Sequence, residues 1–235
     1  MTLRTTLIAS TLLATVLASS TAYAALQGRD LDGNLATFEA YYDTDLNITW
    51  LADANYAPTS GIADTLYSFN PSGTMNWEDA NTWAANLSFT DGVNVYDDWR
   101  LPSTILPDAS CGYQSGGDSY GYNCTGSEMG HLFYNELGGT AGQSILTSAD
   151  PDLAKFANLQ AYGYWSATEY APGTGYYHGW SFYMEDGSQY PNYKSDVFYA
   201  LAVSSGDVGA VPEAETYALM LAGLGMIGWR ARRRG

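Results

Sequence analysis

The chain has 235 residues, with 25 Asp and Glu against 9 Lys and Arg, a formal charge of −16 at pH 7. So negative a molecule repels phosphate backbones and anionic bilayer surfaces, which argues against nucleic acid or an acidic membrane face as a partner. Twenty Tyr, 7 Trp and 25 Gly with few cations describe an aromatic, loop-rich chain of extracellular character, long enough for one domain with a sizeable core.

Residues 1–24 combine Arg4, an apolar run over 7–18 and Ala22-Tyr23-Ala24, the small-x-small pattern that a signal peptidase cuts after. The run is about 12 residues, short of the roughly 20 that a bilayer-spanning helix takes. Export is therefore expected, with a domain over 25–207, a linker at 208–211 and a tail over 212–235. Between residues 25 and 210, Arg29, Arg100, Lys155 and Lys194 are the only Lys or Arg against 23 Asp and Glu, a balance of −19.

Asp30, Asp32 and Asn34, then Asp43, Asp45 and Asn47, carry the opening spacing of a calcium loop. Tyr41 stands where the first should close on an acid, and Ile48 and Ala54 replace the turn Gly and closing Glu of the second. Both predict Asx-rich turns and no metal. Residues 35–42 and 48–52 predict a pair of strands. Asn76 as N-cap, Asp79 three positions on, and Trp77, Ala80, Trp83, Ala84 and Leu87 at helical spacing predict an amphipathic helix with its Trp residues toward the core.

Asp97-Asp98-Trp99-Arg100-Leu101-Pro102 sets a cation among acids and predicts a half-buried strand, its guanidinium forked onto carboxylates or carbonyls. Trp99, Arg100 and Trp165 are expected to form a structural hub, contact of Arg100 with a ligand being the alternative. Cys111 and Cys124, the two cysteines of the chain, most simply form a disulfide in an exported protein. The enclosed residues are rich in Gly and Ser and carry Tyr113, Tyr120 and Tyr122, the composition of an adaptable recognition loop; a passive surface insertion is the other reading. Ser127 is a candidate cap for a second helix over 128–137, closed by Gly138-Gly139. His131 on that helix, like His178, lacks a second His or Cys at ligand spacing and predicts a surface or partner-bonded side chain.

From residue 162 the pattern alternates, predicting strands over 164–168, 178–185, 187–193 and 197–204, with Asp186-Gly187 as a hairpin turn. Tyr176, Tyr177 and Trp180 make a second candidate binding stretch, or alternatively an aromatic cover for the sheet. A helix-bearing first half and an antiparallel second half predict an α+β fold. Asp97 with Asp98 and Glu185 with Asp186 are carboxylate pairs, but adjacent strand residues point to opposite faces, so neither pair shares a substrate unaided. With no nucleophile–base set, complete metal spacing or Gly-rich phosphate loop, the expectation is a non-enzymatic protein with no cofactor; a glycan-acting hydrolase is the less favoured reading.

Trp50-Leu51-Ala52-Asp53-Ala54, Met75-Asn76-Trp77, Trp99-Arg100-Leu101-Pro102, Tyr164-Trp165-Ser166-Ala167-Thr168-Glu169 and Tyr199-Ala200-Leu201-Ala202-Val203 stand in the order seen in the Lcl C-terminal domain-like family. Residues 30–207 resemble that family. The resemblance implies a C-type-lectin-like fold, two helices flanking a twisted antiparallel sheet, with long loops that carry binding; the family's namesake binds sulfated polysaccharide. Ser204 stands where many relatives have an Arg, and a domain near −19 repels sulfate, each like-charge approach costing about 1 kcal/mol at contact distance in water. The expected partner is a glycan or matrix polymer, neutral, cationic or bridged by cations. A structural matrix protein that engages other proteins or itself is the alternative.

The tail runs from Val211-Pro212-Glu213 through an apolar stretch over 217–229 to Arg230, Arg232, Arg233 and Arg234, a basic end that favours the cytoplasmic side. It resembles the PEP-CTERM sorting signal, with Ala214 in place of the second Pro. That resemblance implies exosortase and the inner membrane of a Gram-negative bacterium as transient partners, then removal of the tail and delivery to the surface or exopolysaccharide matrix. An uncleaved anchor is the alternative.

Overall fold

The structure, a computed structural model, describes residues 26–171 and 177–209. The expected leader, Tyr176 and the tail from 210 onward, including Pro212, Glu213 and the four terminal arginines, lie outside the described residues.

Among the described residues antiparallel sheet dominates, with two α-helices and several short 3-10 turns. The main sheet has five strands, β1 (Leu26–Arg29), β2 (Ala40–Asp43), β3 (Ile48–Leu51), β6 (Trp99–Arg100) and β12 (Val203–Ser205), in the order β1-β2-β3-β12-β6. Every residue of β3 is buried, which is why its sequence is nearly continuous apolar instead of alternating. A second sheet is the meander β9 (Gly163–Glu169), β10 (His178–Tyr183) and β11 (Ser188–Tyr193). Two ribbons complete the strands: β4 (Phe89–Thr90) with β5 (Val95–Tyr96), and β7 (Tyr113–Ser115) with β8 (Asp118–Tyr120). Asp91 organises the turn between β4 and β5, and the amide of Asn94, the largest influence, holds its carboxyl well below the usual range.

Helix α1 (Trp77–Ala85) starts as its sequence predicts, the Asn76 side chain accepting the Asp79 amide at 2.8 Å, with Glu78 and Asp79 in the first turn where the macrodipole favours acids. Trp83 is fully buried, whereas Trp77 is half-buried, its ring under the Lys194 ammonium at 4.0 Å and its Nε1 donating to the Ser166 carbonyl. Helix α2 (Glu128–His131) departs from expectation. It widens into a π-turn over Leu132–Glu136, Leu137 donating back five residues to the Leu132 carbonyl at 2.9 Å. Ser127 does not cap it, because its hydroxyl accepts the Ile105 amide instead.

The expected strand over 197–204 is also shorter. Only Val203–Ser205 pairs as a strand, because the preceding residues pass between sheets, Phe198 bridging Met75 and Tyr199 bridging Tyr164. Likewise residues 35–39 belong to a turn, leaving Leu35 and Phe38 exposed, and only Ala40–Asp43 pairs with β3. Trp165 fastens the junction of the sheets. Its Nε1 donates to the Met75 carbonyl at 2.9 Å, its amide to Tyr199, and its ring lies 4.7 Å from Phe198. Arg100 ties β6 to α2 through a two-pronged contact with Glu128, both N–O distances 2.8 Å, while Glu128 also accepts the Ser103 amide.

His131 is buried between α2 and β2. Its Nε2–H donates to Glu136 at 3.1 Å, and Asp43 lies 3.9 Å away. The bond to Glu136 is the first cause, followed after desolvation by the charges of Asp43 and Asp45, of a pKa raised above the ordinary 6.5. A folded-state pKa above the unfolded one means that the stabilisation is complete below about 6.5 and is lost as pH rises through the folded value. Urea midpoints are therefore expected to fall on the alkaline side of 6.5, and His131→Gln to flatten that fall; a variant with an unchanged pH profile would remove His131 as its source.

Candidate functional site

The Cys111–Cys124 disulfide spans 13 residues, with the Cα atoms 4.0 Å apart, and closes the base of the β7–β8 ribbon. Gly116 and Gly117, both at positive φ, make the tip, the conformation that a tight two-residue hairpin demands. Inside the ribbon the buried Ser119 hydroxyl accepts the Asp108 amide and donates to Gln114. The ribbon then docks on the free edge of the meander, Gly121 and Gln189 exchanging backbone hydrogen bonds of 2.9 Å, with Gln189 Nε2 reaching the Ser119 carbonyl. An unpaired strand edge is a liability, and the disulfide loop covers this one.

Docking sets Tyr120 beside Tyr190, ring centroids 5.7 Å apart. Opposite stand Tyr170 and Trp180, 5.8 Å apart and nearly edge to face. Between Gly179 and Ser181 the pairing on β9 jumps from Glu169 to Trp165, an irregularity centred on Trp180. Bulges of this kind re-aim a side chain. The Tyr170 hydroxyl donates to Asp118 at 2.9 Å and so links the meander to the ribbon. These five residues, with Ser115 and Pro191, line a cavity of about 350 Å³. A second cavity of about 440 Å³ shares Tyr190 and Pro191 and adds Tyr183, Glu185, Asp186, Ser188 and Asn192.

Of the sequence-predicted ligand residues, Tyr120 and Trp180 meet in one cavity although they come from separate stretches. Trp180 is 0 % exposed, and among the described residues its Nε1 has no hydrogen-bond partner. Tyr113 backs Tyr120 at 4.4 Å without lining the cavity. The Tyr120 phenol is held above its ordinary 10.0, first by its hydrogen bond with Tyr113, and is neutral at physiological pH. Tyr122 points to Asp186 at 3.4 Å, and that carboxylate raises its pKa as well. Tyr177 is 68 % exposed beside Lys194. Sequence reading missed Asp118, Tyr170 and Tyr190. Each lies in a run that reads as loop or sheet face, and only the register of Gly121 on Gln189 brings them together.

Among the described residues, three clusters have ligand atoms close enough for a metal ion. In Asp30, Asp32 and Glu39 the oxygens accept amides of their own turn: Asp30 takes Asp32 and Gly33, and Glu39 takes Leu31. The Asp43, His131 and Glu136 set is the hydrogen-bonded group already described, and the third consists of Asp108 with the disulfide sulfurs. A further cavity of about 370 Å³ lies on the main sheet beside Phe38, Leu51, Tyr56 and Phe89. No described helix is long and apolar enough to cross a membrane.

Residues 210–234 match the PEP-CTERM protein-sorting motif. The PEP-CTERM match covers Pro212, Glu213 and the terminal arginines, and implies export with sorting to the cell surface by exosortase. No curated protein matches the chain.

Proposed function

We propose that this chain is an exosortase-sorted surface or extracellular-matrix protein whose domain binds glycan, without catalysis, in the cavity walled by Tyr120, Tyr170, Trp180 and Tyr190. The observation that carries this reading is the convergence of those four rings on one carboxylate at a ribbon pinned by the disulfide. Aromatic faces suit the C–H faces of sugars, while Asp118 and Ser115 suit their hydroxyls. The resemblance to the Lcl C-terminal domain-like family supports it from another side, since a C-type-lectin-like domain over residues 25–207 places binding in such loops. A single carboxylate among the described residues of this cavity favours binding over hydrolysis, which takes two facing acids.

The test is an array of neutral and charged oligosaccharides, including the host's own exopolysaccharide, probed with the full chain in mild detergent. Saturable binding is expected, weakened about tenfold by Tyr190→Ala or Tyr120→Ala, a loss of roughly 1.4 kcal/mol. Tyr67→Ala, at a ring 99 % exposed outside the cavity, leaves it unchanged. Binding indifferent to the cavity variants, or self-association with no glycan bound, would sink the reading and favour a structural matrix protein.

A further inference from the structure

We propose that the cavity takes the ammonium group of an amino-sugar polymer, with Asp118 as counter-ion and the rings of Tyr120, Tyr170, Trp180 and Tyr190 as walls. This rests on the glycan-binding reading and names the chemistry of its ligand.

The sign of the site decides first. Among the described residues no Lys or Arg lines the cavity, and each Lys and Arg of the described domain is already paired: Arg29 with Asp207, Arg100 with Glu128, Lys155 with Asp152 and Lys194 with Glu169. Nothing there meets a sulfate, a phosphate or a uronate. Neutral aromatic faces, by contrast, attract a cation through their quadrupole, and the attraction strengthens as water is excluded. Asp118 supplies the full charge. Its Oδ2 is occupied by the Tyr170 hydroxyl, while Oδ1 meets no donor among the described residues.

The neighbouring cavity favours a polymer over a lone amine. It continues from Tyr190 and Pro191 on β11 to Glu185 and Asp186 in the β10–β11 turn, so aromatic rings lie between Asp118 on one side and these acids on the other, with Ser188 and Asn192 available to hydroxyls. A chain of amino sugars crossing Tyr190 meets this alternation at successive units. A cationic peptide shares the charge but lacks the ring faces and hydroxyls that the walls offer to match.

Calorimetry of the full chain with a glucosamine hexamer, its fully N-acetylated counterpart and a lysine hexamer tests this. The glucosamine hexamer is expected to bind, N-acetylation and Asp118→Asn each to weaken it about tenfold, and Tyr190→Leu to weaken it comparably. Asp64→Asn removes the same charge at an exposed position outside both cavities and leaves affinity unchanged. Equal binding of both sugar hexamers would overturn the amine preference and leave glycan binding standing, as would array hits confined to neutral or acidic sugars. A lysine hexamer bound as tightly would point to a peptide partner instead. Equal losses in the Asp64 and Asp118 variants would reduce the effect to bulk charge and overturn the site.

Discussion

Trp165→Ala is expected to remove about 3–5 kcal/mol of unfolding free energy, a large share of the roughly 5–15 kcal/mol that holds a domain together. The indole is fully buried at the seam where β9 meets the 198–202 segment, and it satisfies the Met75 carbonyl just before α1. Truncation leaves a void that two sheets and a helix cannot all close, and it removes one of the two donors to the Met75 carbonyl, the Phe198 amide at 3.1 Å remaining. For a domain of this size, the melting temperature should drop by roughly 10 °C. Trp165→Phe keeps most of the apolar area and loses the hydrogen bond, so it should cost only about 1–2 kcal/mol. Urea titrations of both variants check the pair; a loss below about 1 kcal/mol for the Ala variant would show that the seam is held elsewhere.

Replacing both Cys111 and Cys124 with Ser is expected to cost about 3 kcal/mol in the chain-entropy account of a loop this short. Its effect on binding should exceed its effect on the core. Asp118 and Tyr120 ride on the ribbon that the disulfide closes, and beyond that bond the ribbon is held by a few hydrogen bonds, notably the Gly121–Gln189 pair. Residues 112–123 offer little apolar surface to re-form the docking unaided. Hydrogen exchange should therefore quicken at Gly121 and Gln189 while the amides of β3 stay protected, and affinity for the cavity's proposed glycan ligand should fall at least about tenfold. Unchanged protection at Gly121 would mean that the ribbon does not need its bridge.

Local signals survived into the structure where one short stretch decides the outcome. The Asn76–Asp79 cap, the Trp83 face of α1 and the Asp186-Gly187 turn depend on residues a few positions apart, and each is legible. The alternation over 197–202 misled because residues bridging two different neighbours alternate just as a paired strand does. Ser127 misled because a hydroxyl before a helix reads as a cap until a distant amide, that of Ile105, claims it. The cavity is the strongest case. Its two aromatic stretches were each visible, but their meeting depends on a strand-edge docking at Gly121, a residue with no side chain to advertise it.

The placement of β12 governs when the molecule can become itself during export. Val203 pairs with Trp50 on one side and Arg100 on the other, so the last of the described strands to be exported fills the gap between β3 and β6 inside the main sheet. Until residue 203 emerges, β3 and β6 have open flanks toward each other, and the sorting motif follows only seven residues later, at 210. Closure of the sheet and emergence of the sorting motif are thus nearly simultaneous, and a chain clipped upstream of β12 would carry a raw edge able to recruit its neighbours.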